Sequence, residues 1–495
     1  MPPDSPSLRT KITGVCAPAH AYALAELVRR QPAPVWLIVQ EEAQRSDSLA
    51  EDIALLHHAT EPGAPLEILI FPEAQTDHRE MREAFHAASD RLSVLSRLRG
   101  VRLGGRVPSP GDATERGVGA PRLPMSPLLI LTTPAALLQP VPPLTEFAAR
   151  EVELKPGDHH PFKDLLKLLE NYDYDSEAVC EAPGQYAVRG GIVDVYPITA
   201  QQPYRLDFFG DTLEEIRALD PVTQRSGDAV AHITLTAAPQ LQASAAQASL
   251  LDYLNPAAHA VFLEAKSLEE LFDSLAPDDG RARTPLRADI PTAGSGVPAR
   301  PFLAALPESC AHLFGVSDLD LSSELFDSAG NEETWDTESL SHHRSYPEEQ
   351  LLAHERLQAE EDARRQFFAR LADWKGQGYA IDFVVSKEGE EQRVRELLTE
   401  DAALKKLKPR FLRGTLNEGF RVTMREGRMG PPGAPQPIPG GPSGPALPAR
   451  TVTRNPSFNV PRRNRGFNFL SAASSASSSH TRCSSPSLDT TKSIA

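Results

Sequence analysis

Residues 185–219 contain two successive patterns that are typical of β-hairpins, and the first has a two-residue glycine turn. Gln185–Arg189 and Ile192–Tyr196 are short β-prone runs joined by Gly190-Gly191. A two-residue glycine loop supplies the positive φ angles that a tight hairpin turn needs. Pro197 then ends the second run, because proline has no N–H to donate to a neighbouring strand.

Tyr204–Phe209 and Leu213–Leu219 predict the second hairpin, joined around Gly210-Asp211. Side chains alternate between the two faces of a strand. One face of the first strand therefore collects the apolar side chains of Tyr204, Leu206 and Phe208. The opposite face carries Arg205, Asp207 and Phe209. The segment predicts a small antiparallel sheet with one face able to form a core.

The second face places an arginine and a phenylalanine together, and Arg189 at the first hairpin turn is positioned to join them. Arginine and aromatic side chains on a rigid face are typical anchors of protein–protein interfaces. The alternative is structural: a surface salt bridge made by Arg205 and a Phe209 ring covered by a neighbouring domain. Physical reasoning alone favours that alternative, since single exposed aromatic side chains are common.

The strings VRGGIVDVYP and YRLDFFGDTLEEIRALDPVTQRS resemble the UvrB-homology region of the bacterial transcription-repair coupling factor family, Mfd. In that family the region belongs to a small domain that docks the excision-repair protein UvrA. Matched position by position, the resemblance puts the UvrA-contacting residues on Arg189, Arg205 and Phe209. It implies UvrA as a protein partner and favours the binding interpretation over the structural one.

The length, net charge and cysteine content of the whole chain limit its possible folds, partners and cellular compartment. Its 495 residues are typical of three or four domains, and 40% apolar content is enough for real cores. A net charge of −16 disfavours nucleic-acid binding by the chain as a whole. The four cysteines show no metal-ligand spacing or pairing pattern, which is typical of a reducing compartment. No apolar run approaches a membrane span, so we expect a cytoplasmic protein without membrane, metal or cofactor partners.

Residues 11–140 alternate short apolar runs with helical patterns. The strand candidates are Lys11–Val15, Val35–Val39, Glu67–Phe71 and Leu128–Thr132. Such alternation, with fully apolar strands, predicts a parallel sheet covered by helices on both faces. The family resemblance implies a RecA-like domain here, and the string ILTTPAALLQ is similar to that domain as well.

The first strand-to-helix turn bears on nucleotide binding. A nucleotide-binding RecA-like domain carries G-x-x-x-x-G-K-[ST] there, for phosphate and magnesium. In this chain Gly14 remains, but Ala19 replaces the second glycine, His20 the lysine and Ala21 the hydroxyl residue. We therefore expect no nucleotide binding. His20 as a catalytic base is a weak alternative, because a lone histidine after a strand is more often packed or exposed.

The predicted fold class is α/β: a degenerate RecA-like parallel-sheet domain with an inserted small antiparallel β-rich domain, then a smaller α/β domain and a disordered tail. The tail, residues 424–495, holds 11 Pro, 7 Gly and 12 Ser and a net charge of +7. We predict these segments: 1–145, first part of the RecA-like domain; 146–226, UvrA-interaction domain; 227–316, second part of the RecA-like domain; 317–345, linker; 346–422, small α/β domain; 423–495, disordered tail.

Two classes of function follow. The first is a binding module, the UvrA-recruiting part of a transcription-coupled nucleotide excision repair factor without its motor. The second is a nucleotide- and DNA-binding UvrB-like or helicase-like repair enzyme. The segment Pro72–Leu92, where UvrB inserts an aromatic-rich hairpin, holds one aromatic residue, Phe85, which disfavours the second class.

We expect no catalytic residues and no ATPase activity. RNA polymerase and DNA are expected as partners only through family domains that are not visible in this chain. The composition changes abruptly after Val422. We therefore hypothesise that an altered reading frame ends the family sequence there, which translation of the downstream DNA in the other frames tests.

Overall fold

The computed structural model describes residues 8–74, 81–102, 126–238, 248–275, 299–343, 353–400, 405, 407–423 and 450–454. The described strands are β1 (Leu8–Thr13), β2 (Val35–Val39), β3 (Glu67–Phe71), β4 (Leu128–Thr132), β5 (Glu151–Leu154), β6 (Asp175–Ser176), β7 (Gln185–Arg189), β8 (Ile192–Val195), β9 (Tyr204–Phe209), β10 (Thr212–Leu219), β11 (Ser226–Ala229), β12 (Ile233–Thr236), β13 (His259–Leu263), β14 (His312–Val316), β15 (Asn331–Thr334), β16 (Asp336–Ser339), β17 (Ala380–Val385), β18 (Arg410–Arg413), β19 (Phe420–Thr423) and β20 (Arg450–Arg454). The described α-helices are α1 (His20–Arg30), α2 (Ser46–Thr60), α3 (Met81–Arg102), α4 (Pro134–Leu138), α5 (Leu144–Ala149), α6 (Phe162–Asn171), α7 (Ala265–Leu275), α8 (Ala299–Ser309), α9 (Ala353–Gly376) and α10 (Glu388–Glu400).

The largest sheet is parallel, with seven strands in the order β15-β1-β14-β13-β2-β4-β3. Strands β2 and β4 are buried at every residue, because helices cover both faces of the sheet. Helices α1 and α2 pack on one face, and α3, α7 and α8 pack on the other. The predicted α/β class is confirmed.

Three of the four predicted strands of this sheet have the predicted bounds, and the first does not. Strand β1 begins at Leu8 and ends at Thr13, whereas the prediction was Lys11–Val15. The strand ends there because Gly14 has a φ of 74°, in the left-handed region, and turns the chain out of the sheet.

A six-stranded sheet in the order β11-β10-β9-β8-β7-β6 forms the small domain. Both predicted hairpins are present: β7 pairs antiparallel with β8, and β9 with β10. Gly190 has a φ of 66°, which gives the first turn the positive angle that the sequence predicted. Helix α6 and the two-stranded sheet of β5 and β12 complete the core of the domain.

Helix α3 connects this domain to the parallel sheet. Leu92 packs against the cores on both sides, and Phe85 packs against the core of the small domain. A Cβ atom added to Gly184 would lie 3.1 Å from Cζ of Phe85, so the helix and the small domain are in close contact. The lone aromatic residue of the segment 72–92 therefore has a packing role.

The predicted boundary between residues 226 and 227 is wrong. Strand β11 pairs with β10, and β12 pairs with β5, so residues 226–236 still belong to the small domain. Ile233 and Leu235 lie in its core. The prediction placed residues 227–236 in the second part of the RecA-like domain, because a sequence pattern indicates a strand but not which strand it pairs with.

The predicted linker at 317–345 is wrong for residues 331–339. Strand β15 extends the parallel sheet beside β1, and β16 pairs antiparallel with β19. These strands are short and acidic and mostly accessible, so they carry no apolar periodicity. Backbone pairing with β1 and β19 orders them instead.

The third large sheet has the order β16-β19-β20-β17-β18 and includes helices α9 and α10 in its domain. Strand β20 pairs with both β17 and β19. The predicted disorder of the tail 423–495 is therefore wrong for residues 450–454, because two strands offer their unpaired backbone groups to this segment. The rest of the tail after Thr423 lies outside the described residues.

Candidate functional site

The face of the small sheet that is turned away from its core carries the predicted binding residues. Along β9, Tyr204, Leu206 and Phe208 are buried, whereas Phe209 is 76% exposed. Arg205 and Phe209 lie on the same face of β9, as the alternation predicted. We call Arg189, Arg205 and Phe209 the cation–ring surface.

The strand register aligns this surface across the sheet. Arg205 lies directly opposite Asp194 on β8, and Asp194 lies opposite Ala187 on β7. In the next row Arg189 lies opposite Ile192, and Ile192 lies opposite Asp207. Two residues apart on β7, Ala187 and Arg189 share a face, so the register brings Arg189 and Arg205 to the same side of the sheet.

Arg205 makes a bidentate ion pair with Asp194. Its Nε donates to Oδ1 at 2.7 Å, and its Nη2 donates to Oδ2 at 2.8 Å. Its Nη1 also donates to the Ser226 hydroxyl at 3.1 Å. The hydrogen bond to Asp194 raises the pKa of Arg205 further above its ordinary value. The guanidinium is therefore charged and fixed in one plane.

Arg189 approaches the same carboxylate but is held less tightly. Its Nη1 lies 3.8 Å from Oδ2 of Asp194, and its Nη2 donates to the Ala178 carbonyl at 3.1 Å. The Arg189 side chain is 46% exposed, compared with 19% for Arg205. The structure thus brings both predicted arginines together on one acid.

Asp194 is the residue of this site that sequence reasoning missed. Its side chain is 0% exposed, although it lies on the face opposite the core. The available signal was its position between Val193 and Val195, which alternation turns toward the core while Asp194 points the other way. Its bidentate pairing with Arg205 depends on strand register, which the sequence pattern did not fix.

The strand-to-helix turn after β1 is the place where a nucleotide-binding RecA-like domain has its phosphate-binding loop. Gly14 N–H donates to the Asp318 carbonyl at 3.0 Å, and Val15 N–H donates to the Ser317 carbonyl at 3.0 Å. Cys16 N–H donates to the Thr337 hydroxyl at 2.7 Å. A phosphate-binding loop needs such N–H groups directed at its ligand. In this turn these three groups are bonded within the chain.

The backbone of the segment 335–337 lies against this turn. A Cβ atom on Gly14 would lie 2.1 Å from the Trp335 carbonyl oxygen, so the two backbones are in direct contact. His20, where a phosphate-binding loop has its lysine, is buried, and its Nε2 lies 3.4 Å from Oε1 of Glu264. His20 is therefore packed against an acid at the start of α1.

Two features are absent from the residues that the structure describes. Among them, no helix is long and apolar enough to cross a membrane. Within the same ranges, no three His, Cys, Asp or Glu side chains are grouped so that they could hold a metal ion.

The small domain matches a known family. Residues 152–241 match the model of the UvrB interaction domain. The match begins within β5 and runs past β12, which agrees with the strand pairing that extends the small domain to residue 236. The cation–ring surface therefore lies within the segment that matches the UvrB interaction domain.

Curated relatives extend the likeness beyond that domain. The chain is 28% identical over 235 residues to the transcription-repair-coupling factor of Myxococcus xanthus, which covers 47% of this chain and 18% of the relative. It is 23% identical over 230 residues to that of Bacillus subtilis, covering 46% and 17%. A shorter match to the Haemophilus influenzae factor is 37% identical over 82 residues.

The chain thus matches less than a fifth of the length of these relatives. The matches confirm the resemblance of the sequence to this family. The chain is similar to the N-terminal region of transcription-repair-coupling factors, and its residues 152–241 match the UvrB interaction domain.

Proposed function

We propose that this chain recruits UvrA through the cation–ring surface, as the damage-recruitment part of a transcription-coupled nucleotide excision repair factor. The observation that carries the proposal is the arrangement of Arg189 and Arg205 around one buried acid, with the exposed Phe209 ring on the same sheet face. The family resemblance assigns UvrA contact to these three positions.

The chemistry of the surface suits a protein partner. A few residues carry most of the binding energy of an interface, and arginine and aromatic side chains, phenylalanine included, are enriched at interfaces. An exposed phenylalanine gains by leaving water when a partner covers it. Strands β8 and β9 and the ion pair with Asp194 hold Arg205 in place, so little conformational entropy is lost on binding.

Single alanine variants test the proposal. We expect Phe209→Ala and Arg205→Ala each to weaken binding to purified UvrA by about 2 kcal/mol or more, measured by calorimetry or biolayer interferometry. Val222→Ala is the matched control, because Val222 is 88% exposed and apolar like Phe209 but lies in the turn between β10 and β11 and is not one of the three residues of the cation–ring surface. The assignment is wrong if both surface variants bind UvrA as tightly as the unmodified chain does.

We also propose that this chain has no ATPase activity. Support comes from the turn after β1, where the N–H groups of Gly14, Val15 and Cys16 already have partners within the chain and Trp335 lies against the glycine. A nucleotide would have to displace these contacts to find a phosphate cradle.

A titration with Mg-ATP, followed by calorimetry and by phosphate release, tests this second proposal. We expect neither saturable heat nor turnover. Either one would favour the alternative of a UvrB-like or helicase-like enzyme.

A further inference from the structure

Asp194 occupies a position that packing does not explain. Its side chain is fully buried and lies on the sheet face opposite the apolar core. Burying a carboxylate costs free energy unless hydrogen bonds and an opposite charge compensate for it, and an apolar side chain of similar size is often no worse for stability. A buried acid at the centre of a proposed binding surface therefore calls for a role in that surface.

Most N–H donors of the Arg205 guanidinium already make hydrogen bonds within the chain. A guanidinium has five N–H groups. Three of these donate in the structure: two to Asp194 and one to the Ser226 hydroxyl. Two N–H groups remain for a partner, held in a fixed plane, and the positive charge is offset by the carboxylate beside it.

Arg189 makes fewer hydrogen bonds within the chain than Arg205 does. It makes one hydrogen bond to a neutral carbonyl, that of Ala178, and its distance of 3.8 Å from Asp194 is too long for a hydrogen bond. Because Asp194 is already paired with Arg205 at 2.7 and 2.8 Å, the charge of Arg189 is only partly offset. Arg217, which lies opposite Arg205 on β10, is paired with Glu215 at 2.8 Å.

We propose that Asp194 is a positioning residue that gives the two arginines different tasks. It fixes the Arg205 side chain and offsets its positive charge, so that Arg205 serves as a rigid hydrogen-bond donor. It leaves Arg189 as the cation that meets a carboxylate of the partner. This inference rests on the proposed function, and it adds the chemistry of the recognised group: an acidic side chain opposite Arg189 and neutral acceptors opposite Arg205.

Binding kinetics with purified UvrA at several NaCl concentrations test this division. Exposed charges act mainly on the association rate and its salt dependence, whereas buried hydrogen-bonded charges act on the dissociation rate. We expect Arg189→Ala to slow association and flatten its dependence on salt. We expect Arg205→Ala and Asp194→Asn to raise the dissociation rate about tenfold or more. Glu215→Gln, on the same face, is the matched control and should change the dissociation rate little.

Two measurements separate positioning from folding. The Arg205 Nε–H resonance in ¹H–¹⁵N spectra reports the ion pair directly, and we expect it to be resolved in the unmodified chain and in Arg189→Ala but lost in Asp194→Asn. The double variant Asp194→Asn/Arg205→Gln replaces the ion pair by a neutral amide pair, so we expect it to regain thermal stability without regaining UvrA affinity.

The outcomes are distinct. If the unmodified chain does not bind UvrA, the proposed function fails and this inference fails with it. If the unmodified chain binds, but Asp194→Asn dissociates at the same rate, the positioning role alone is refuted. A double variant that binds as tightly as the unmodified chain would refute Arg205 as a binding residue, and with it the positioning role. An Arg189→Ala variant whose salt dependence is unchanged would refute the assignment of the partner carboxylate to Arg189.

Discussion

Single residues decide how closely the segments of this fold approach each other, and Gly14 is the clearest example. Its φ of 74° lies in the left-handed region, and its missing side chain leaves room for the Trp335 carbonyl oxygen. Both properties are specific to glycine. Together they let the strand-to-helix turn and the segment after β15 pack backbone against backbone.

We predict that Gly14→Ala lowers the free energy of unfolding by more than about 2 kcal/mol, because it combines backbone strain with a steric clash. Gly63→Ala is the matched control: Gly63 has a φ of 85°, but a Cβ atom there would meet no other atom within 4 Å. The control should lose about 1 kcal/mol from strain alone. Equal losses in urea denaturation would show that the contact with Trp335 is unimportant.

Whole elements of this chain are ordered by backbone pairing as well as by apolar pattern, and β20 shows this. The segment that contains Arg450–Arg454 is rich in Pro and Gly and has no amphipathic period, yet β20 pairs with β17 on one side and β19 on the other. Strand β20 thereby joins the pairs β16–β19 and β17–β18 into one sheet.

Truncation of the chain tests the contribution of this element. A chain that ends after residue 423 lacks β20, and a chain that ends after residue 455 keeps it. We expect faster hydrogen exchange in β17 and β19 of the shorter chain, because their amides lose partners. The chain that ends after residue 455 is the control, and its amides in these strands should exchange as they do in the full chain. If the two truncations exchange alike, β20 does not stabilise the sheet.

The stability of the whole molecule should depend on two histidines in the parallel sheet. His259 and His312 lie opposite each other on β13 and β14, and their ring centroids are 5.6 Å apart. Burial lowers the pKa of each to about 4, and for His312 the nearby His259 adds to the effect. The Thr10 hydroxyl lies 2.8 Å from Nε2 of His312, and Trp36 and Phe314 surround the pair.

These shifts give a pH dependence of definite sign. The ordinary histidine pKa is about 6.5, so between pH 6.5 and 4 the unfolded chain binds protons that the folded chain excludes. The resulting stability is fully present above pH 6.5 and is lost as the pH falls toward 4. For His312, we expect the free energy of unfolding to fall by about 2 kcal/mol between pH 7 and 5.

Urea denaturation at pH 7, 6 and 5 measures this effect, with His312→Gln as the comparison. Glutamine can retain a hydrogen bond to Thr10 but does not titrate. We expect the advantage of the unmodified chain over the variant to shrink as the pH falls. A constant difference across this range would mean that folding does not lower the pKa of His312.

Much of the fold was predictable because its signals are local. Strands β2, β3 and β4 and the hairpin strands β7 and β9 have the bounds that apolar runs, alternation and glycine turns predicted. By contrast, β15, β16 and β20 were missed, and β12 was assigned to the wrong domain. These strands depend on which neighbour supplies hydrogen bonds, and no local pattern encodes that.

In the candidate site, too, some residues were predictable from local sequence pattern and one was not. Alternation along β9, helped by the family resemblance, identified Arg205 and Phe209, and the turn position identified Arg189. The part played by Asp194 did not follow from the sequence, because a carboxylate between two valines gives no sign that a strand eleven residues away will place Arg205 opposite it. That Arg189, Arg205 and Phe209 bind UvrA stays a proposal.

The amino-acid sequence by itself determined that this protein would build a parallel sheet, a small antiparallel sheet beside it and a turn without the residues of a phosphate cradle. Those properties follow from residue types at short spacing, where propensity and periodicity act. Only the tertiary structure decided that Trp335 would lie against Gly14, that β20 would complete a sheet, and that two arginines would share one buried acid. Such contacts join residues that are distant in the chain, and register and packing of the complete fold determine them.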